Sequence, residues 1–505
     1  MNCFSSKIYF LVILLLLSMG LSSCMLGPDF HSPKSPPIKS YTGKPLLSKT
    51  VALYSADNSG QAQYFALGQD LPAEWWQLFH SESLNQLIAT GIRNSPNLAA
   101  AQAALRSAKE ALAAQIGNSL YPALSAQMTA NRQGFSDAAF GLNNNSTIFN
   151  LFNPSFNIAY TLDAFGGLRR GIESQRAQLD YQNYLTEGTY LTLTSNIATT
   201  AITIASLKAQ IQATQQLIQA QEEILQIVRK QYGLGGVSGA DVLTQETQVA
   251  QSRAKLPPLE QLLAQNLHVL SVLIGQFPSE SQIPPLDLAA LNLPTRLPIS
   301  LPSSLVRQRP DIQAAEALLH SASAQIGVAA ANLYPQITLN GSYGWQSNFA
   351  SELFSPHSSV WNYGAQITQP LFNGGALMAK KRQAIANYEQ AEAQYRQTVL
   401  QAFQNVADSL RAIENDARTF RAQKQAEISA QATLLLTQKQ FQLGGVSYLS
   451  LLNAERQYQQ TKIGRIQAQA SRYTDTIALF QALGGGWWNR GVNEKMKAKS
   501  QYKGA

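Results

Sequence analysis

The sequence predicts a mixed α and β membrane protein built as a tandem duplication, and three observations predict it. Four landmarks recur in the same order about 207 to 214 positions apart. Four segments of about ten residues alternate apolar and polar side chains, the period of a strand with one oily and one wet face. Two long proline-free stretches carry an apolar residue at every seventh position, the period of helices packed along a supercoiled seam.

At 505 residues the chain is too long for one ordinary core. Charged residues make up only 13%, which suits surfaces packed against neighbours or lining a wet passage. The net charge of +8 raises the question of nucleic acid. The cations are scattered apart from the run Lys495 to Lys503, which reads as a solvated tail.

Lys7 and the apolar run Ile8 to Leu17 read as a secretory signal, too short to stay in a bilayer as a spanning helix. The run meets Leu21-Ser22-Ser23-Cys24, which resembles the bacterial lipobox, so Cys24 is expected to take a lipid and begin the mature chain. Cys3 leaves with the signal. No disulfide is then possible, and the tether is lipid. Met25 is not the Asp that hints at inner-membrane retention, which favours an outer-membrane address. A Pro- and Ser-rich stretch from Pro28 to about Pro45 reads as an extended arm.

The duplication organises the rest of the chain. Asn94-Ser95-Pro96-Asn97-Leu98 is echoed by Gln308-Arg309-Pro310-Asp311-Ile312, and Leu120-Tyr121-Pro122 by Leu333-Tyr334-Pro335. Phe165-Gly166-Gly167 is echoed by Phe372-Asn373-Gly374-Gly375, and the turn in KQYGLGGVSGADVL, from Lys230, by KQFQLGGVSYLSLL, from Lys439. Strands are expected over 121–134, 154–165, 335–347 and 360–371. In the third, Ile337, Leu339, Gly341, Tyr343 and Trp345 alternate with Thr338, Asn340, Ser342, Gly344 and Gln346. A strand of this length spans a bilayer when tilted, although a soluble amphipathic sheet alternates in the same way.

Long helices are expected from Leu168 to Tyr232 and from Ala376 to Phe441. Ile197, Ile204, Ile211, Ile218, Leu225 and Tyr232 mark the first seam; Val399, Val406, Ile413, Phe420, Leu434 and Phe441 mark the second, which Glu427 alone breaks. Gly235-Gly236 and Gly444-Gly445 turn the chain back, and Asp241 and Ser447 are expected to cap the returning helices. Four strands cannot close a cylinder, and an open edge in lipid strands backbone groups. Chains must therefore assemble. Two would give a barrel filled by side chains and three a wet lumen, which the uncharged polar residues Asn131, Thr161, Asn340 and Gln366 favour.

Further motifs join these: Glu74-Trp75-Trp76 with Phe79, Gln369-Pro370-Leu371-Phe372, Tyr448-Leu449-Ser450-Leu451-Leu452-Asn453-Ala454-Glu455-Arg456, and Ala482-Leu483-Gly484-Gly485-Gly486-Trp487. As an ordered set the chain resembles the TolC/OprM-type outer-membrane efflux factors, in their lipoprotein (NodT-like) branch. The resemblance implies a homotrimer with a twelve-stranded outer-membrane β-barrel, continued by a long α-helical coiled-coil barrel with an equatorial domain. It implies the division 1–23 signal, 24–80 lipidated arm and equatorial segment, 81–275 first copy with tip 233–240, 276–303 equatorial link, 304–483 second copy with tip 443–448, and 484–505 tail.

By the same resemblance the protein is the exit duct of a tripartite, RND-type pump for small molecules. A periplasmic adaptor would dock on Gly235, Gly236, Val237, Ser238, Gly444, Gly445, Val446 and Ser447, and an inner-membrane transporter would supply the energy. Leu449, Asn453 and Arg456 would form the periplasmic gate, with Asp241 at the equivalent place on the first tip. Asn453 replaces an Asp common in the family and Val446 an Arg seen in some relatives. The gate is therefore expected to rest on Leu449 packing and Asn453 hydrogen bonds, with Asp241 the main acid.

No Gly-x-Ser-x-Gly, His-Glu-x-x-His or phosphate loop occurs in the sequence, and His31, His80, His268, His320 and His357 are scattered. No enzyme, cofactor or metal site is expected. An exit duct for type I protein secretion, or a non-conducting lipid-anchored periplasmic scaffold, are the alternatives.

Overall fold

The computed structural model describes residues 25–53, 58–136 and 146–490. Cys24 and the signal before it lie outside the described residues, as do 491–505. The chain forms two compact units, and each draws on both copies of the duplication.

The first unit takes the residues up to Pro33 with Ala104–Asn183 and Ala314–Arg396. Its centre is a four-stranded antiparallel sheet of β2 (Ala123–Ser136), β3 (Ser146–Leu162), β5 (Gln336–Trp345) and β6 (Ser359–Thr368), in that order. The register aligns like with like. Leu124 faces Ile158, Phe156 faces Tyr343, Tyr343 faces Trp361, and Ile337 lies between Leu162 and Ile367. One apolar face thus runs unbroken across four strands, because side chains alternate and each partner is apolar at the same parity. Little covers that face: Leu124, Met128, Phe156, Tyr343, Trp361, Tyr363 and Ile367 are all exposed. The opposite face carries Gln127, Asn157, Asn340, Asn362 and Gln366.

Strand β3 begins eight residues before the position that Pro154 marks in the sequence. Phe152 exchanges backbone bonds with Ser347 of the β5 side at 2.9 and 3.1 Å. Pro154, two residues on, turns its missing N–H to that same side. The β2 ladder is untouched, so the strand continues through the proline.

The beginning of the arm is fixed onto this unit. Arg170 is fully buried, with Nη2 2.7 Å from Asp29 Oδ1, Nη1 2.7 Å from Glu173 Oε2, and Nε donating to Leu26 O at 3.2 Å. Phe30 stacks on His320, whose Nε2 lies 2.9 Å from Glu173 Oε1.

The second unit takes Lys34–Ala103, Tyr184–Gln313 and Gln397 onward. Helix α1 (Glu82–Asn94) starts at Ser81, whose Oγ accepts from Leu84 N, and buries Leu84, Leu87 and Ile88. Helix α2 (Pro96–Leu120) and helix α7 (Pro310–Ala331) both open on proline, where the lost N–H costs nothing. Between them lie β4 (Arg296–Ile299), paired in parallel with β1 (Tyr64–Leu67), and the short helix α6 (Pro302–Gln308). Trp75, Trp76 and Phe79 pack against Tyr473, Phe480 and Leu297, so the Trp-Trp motif is the plug of this core.

Helices α3 (Gly167–Gly233) and α8 (Ala376–Gln442) are 67 residues each, about 100 Å at 1.5 Å per residue. Ile197, Ile204, Ile211 and Leu225 are buried along the first seam, and Val399, Val406, Ile413 and Phe420 along the second. Ile218, Leu434 and Phe441 are half-buried, and two further seam residues stand apart. Tyr232, at the helix end, is exposed. Glu427, the break in the second seam, is buried and lies 3.0 Å from Lys424 Nζ and 3.2 Å from Arg465 Nε. Its polarity is offset by ion pairing, not by turning outward.

The returning helices differ. The second is a single 35-residue helix, α9 (Tyr448–Ala482). The first is broken into α4 (Gly239–Ala254) and α5 (Leu256–Leu273) at Lys255, because Pro257 and Pro258 start a new helix. Among the described residues no helix is long and apolar enough to cross a membrane.

Candidate gate and helical tips

The two tips are built alike. Gly235 and Gly444 both take positive φ, near +75° and +73°, which only glycine adopts without strain. Gly236 N donates to Gln231 O and Gly445 N to Gln440 O, each at 2.8 Å, so spare carbonyls of the outgoing helices are satisfied. Leu234 and Leu443 precede them, 87% and 88% exposed. Val237 and Val446 are less open, and both are half-buried.

The caps differ from expectation at the first tip. Ser238, not Asp241, is the cap: its Oγ accepts from Asp241 N at 3.3 Å, while Asp241 Oδ2 accepts from Ser238 N at 2.9 Å. This reciprocal pair is a capping box, which places the carboxylate one turn inside the helix. Hydrogen bonds from Ser238 hold the Asp241 carboxyl below its usual range. At the second tip Ser447 is the cap, accepting from Ser450 N at 3.4 Å. Ser450 stands where Asp241 does, so that tip has no carboxylate at this place.

Leu449, Asn453 and Arg456 are spaced four and three residues apart on α9 and share one uncovered face. Leu449 is 60% exposed. Within one chain it has little packing to give. Among the described residues Asp241 makes no hydrogen bond or ion pair with any of the three. Its charge is felt by Tyr448, whose hydroxyl is raised chiefly by burial and further by Glu455 and Asp241.

The back of the same helix is less ordinary. Tyr448, Leu451, Leu452, Glu455 and Gln459 form its buried stripe. Glu455 is 3% exposed, its Oε1 has no hydrogen-bond partner, and burial raises its carboxyl to about 7 against a smaller pull from the Gln221 amide. Gln245 of α4 lies in the same dry layer, its Nε2 donating to Gln221 O at 2.8 Å. Glu455 and Gln459 line a cavity of about 230 Å³ with Leu217, Leu434, Tyr458 and Lys462. Motifs alone do not point to this layer, although Glu455 follows Leu451 and Leu452 at helical spacing and so belongs on the buried face.

Among the described residues no cluster of metal ligands occurs. The groups at the tips include a carboxylate, an amide, a guanidinium and a leucine side chain, which can bind by charge, hydrogen bond and apolar contact.

Comparison with known proteins agrees in extent. The family model described as outer membrane efflux protein matches residues 87–276 and 301–485. The chain is 30% identical over 436 residues to a pyoverdine export outer membrane protein, OpmQ, of Pseudomonas aeruginosa, covering 85% of this chain and 91% of that one. It is 30% identical over 478 residues to a toluene efflux pump outer membrane protein, TtgC, of Pseudomonas putida, covering 93% and 94%. The solved outer-membrane channel OprN superposes with a TM-score of 0.82 at 24% identity, over 92% of this chain and 100% of that one, and shows the same fold. With both copies of the duplication matched and two relatives aligned over nearly their full length, the chain belongs to the outer membrane efflux protein family.

Proposed function

We propose that three copies join edge to edge, β6 of one to β2 of the next, closing a twelve-stranded barrel in the outer membrane that the long helices continue into the periplasm. One observation carries this: a four-stranded sheet whose apolar face is uncovered and whose two outer strands, among the described residues, have no partner strand in their own chain. Lipid on Cys24 anchors the chain beside the barrel. The assembly is the exit duct of a tripartite, RND-type pump for small molecules, consistent with the pyoverdine and toluene named for its relatives. Those two cargoes share little chemistry, so the duct follows its transporter in choosing cargo. A periplasmic adaptor docks on the two glycine tips, where Leu234 and Leu443 offer bare apolar side chains.

In this reading Leu449, Asn453 and Arg456 face the axis at the periplasmic end, and Leu449 finds its packing against the other two copies. The purified lipoprotein in detergent is expected to have the mass of three chains and to conduct in planar bilayers. A monomer that stays soluble without detergent, or a non-conducting trimer, would sink the proposal and revive a scaffold. Asn453→Asp is expected to strengthen block by divalent cations from the periplasmic side several-fold, since it adds a ring of three carboxylates. Unchanged block would remove Asn453 from the constriction.

A further inference from the structure

The two copies treat the cations at the head of their long helices in opposite ways. In the first, Arg169 Nε is 3.0 Å from Asp163 Oδ2, and Arg170 is bound by Asp29 and Glu173. Both arginines there have an intrachain answer. In the second, Lys380, Lys381 and Arg382 stand in consecutive positions of α8, and among the described residues none of them forms an ion pair. The first turn of α8 has no acid, and the first carboxylate along the helix, Glu389, lies two turns past Arg382.

This placement is unfavourable as it stands. The head of a helix carries the positive end of its dipole, so three cations in the first two turns repel it and one another. Lys380 and Arg382 are exposed and Lys381 half-buried. An anion supplied from outside the chain would relieve all of these repulsions together.

Position says which anion. Strand β6 ends at Thr368, and Leu371 and Phe372 in the connection to α8 are each 92% exposed in a single chain. Tyr121, at the foot of β2, is exposed as well. The three cations lie about 6 to 9 Å along the helix from its first residue. The polar layer beneath the hydrocarbon of a bilayer is roughly 5–8 Å deep. Apolar side chains at the sheet's foot, followed within that depth by cations, match an acyl chain followed by a phosphate.

We propose that Lys380, Lys381 and Arg382 bind the headgroup of an anionic phospholipid in the periplasmic leaflet, with Leu371 and Phe372 against its acyl chains. The inference rests on the sheet spanning the outer membrane. Each trimer then carries three such sites, and the duplication has divided the labour: Arg170 of the first copy holds the arm, and the second copy's cations hold lipid.

The test uses the full lipidated protein in detergent, its melting followed with added phosphatidylglycerol, phosphatidylcholine or inorganic phosphate. Phosphatidylglycerol is expected to raise the midpoint by several degrees and the other two to leave it unchanged. In K380Q/K381Q/R382Q the phosphatidylglycerol shift should fall by half or more, while Lys380→Arg with Lys381→Arg keeps it. An equal shift in the triple variant, or an equal shift from phosphatidylcholine, overturns the proposal. A shift reproduced by inorganic phosphate makes this a free-anion site and also overturns it. If the triple variant loses its trimeric mass without added lipid, the cations answer a neighbouring chain's carboxylates and the proposal fails. Conductance of the same preparation separates the two readings: a protein that conducts yet ignores phosphatidylglycerol refutes only the lipid site.

Discussion

Arg472→Met is expected to cost about 3–5 kcal/mol and to release the segment around β1 from the second returning helix. Arg472 lies in α9 with almost no exposure, and its guanidinium donates to Ser59 O, to Gln61 O at 3.0 Å and to Gln63 Oε1 at 3.4 Å. Gln63 in turn donates to Pro294 O at 3.2 Å and to Thr476 Oγ1 at 3.0 Å. Arg472 and Gln63 together therefore tie residues 59–63, Pro294 and the last helix to one another. Burial pushes the guanidinium down to about 10, still charged at neutral pH, and it stacks over the Phe420 ring. Methionine keeps the apolar stem but leaves three acceptors dry, each at roughly 1–3 kcal/mol. Faster protease cutting between Asn58 and Gln63 and a lower melting midpoint are the readouts. Arg472→Lys should recover part of the loss through its single charge. Unchanged melting and cutting in the methionine variant would show that the arm is held by other contacts.

Glu455→Gln is expected to stabilise the protein at pH 8 and to change little at pH 5. The folded carboxyl titrates near 7, above its ordinary 4.5, because ionising it means charging a dry interface. An acid raised in this way binds more protons folded than unfolded. Its stability is complete below about 4.5 and is lost as pH rises through about 7. The loss above that range is on the order of 3 kcal/mol. Glutamine keeps the shape and never ionises. Asp416 is also raised to about 7, by burial and by Asp475 close beside it, and contributes a slope of the same sign. It is present in both proteins, so the difference between wild type and variant isolates Glu455. Tyr448 and Tyr458, raised by burial, and Lys462, lowered by burial, are likewise common to both. Unfolding midpoints of both proteins from pH 5 to 8 check this. Parallel curves would mean that Glu455 reaches water in the assembled protein.

Much of the architecture was legible because it is written in short-range patterns. Alternation placed all four sheet strands, since one apolar face needs a period of two whatever lies against it. The seven-residue seam and the glycine pairs placed the long helices and their tips to within a residue or two at the ends. Reading Asp241 as the cap missed by three positions, because Ser and Asp both satisfy helix heads and the box uses them together. The strand expected from 154 begins at Ser146 and runs through Pro154, because the harm a proline does depends on which neighbour its missing donor faces. The exposed face of α9 that carries Leu449, Asn453 and Arg456 was legible as spacing. The dry layer behind it was not, because Glu455 and Gln221 become neighbours only when α9 packs on α3.

By itself, then, the sequence determined the duplication, the period of each element and the turns that reverse the chain, since these follow from backbone sterics and from the side chains of a few adjacent residues. Only the tertiary structure decided that β3 pairs with β5 across the two copies, that β1 pairs with β4, and that Glu427, Glu455 and Arg472 are buried. Each of those depends on segments remote in the chain meeting in space, where burial and partner supply the energy that no local pattern records.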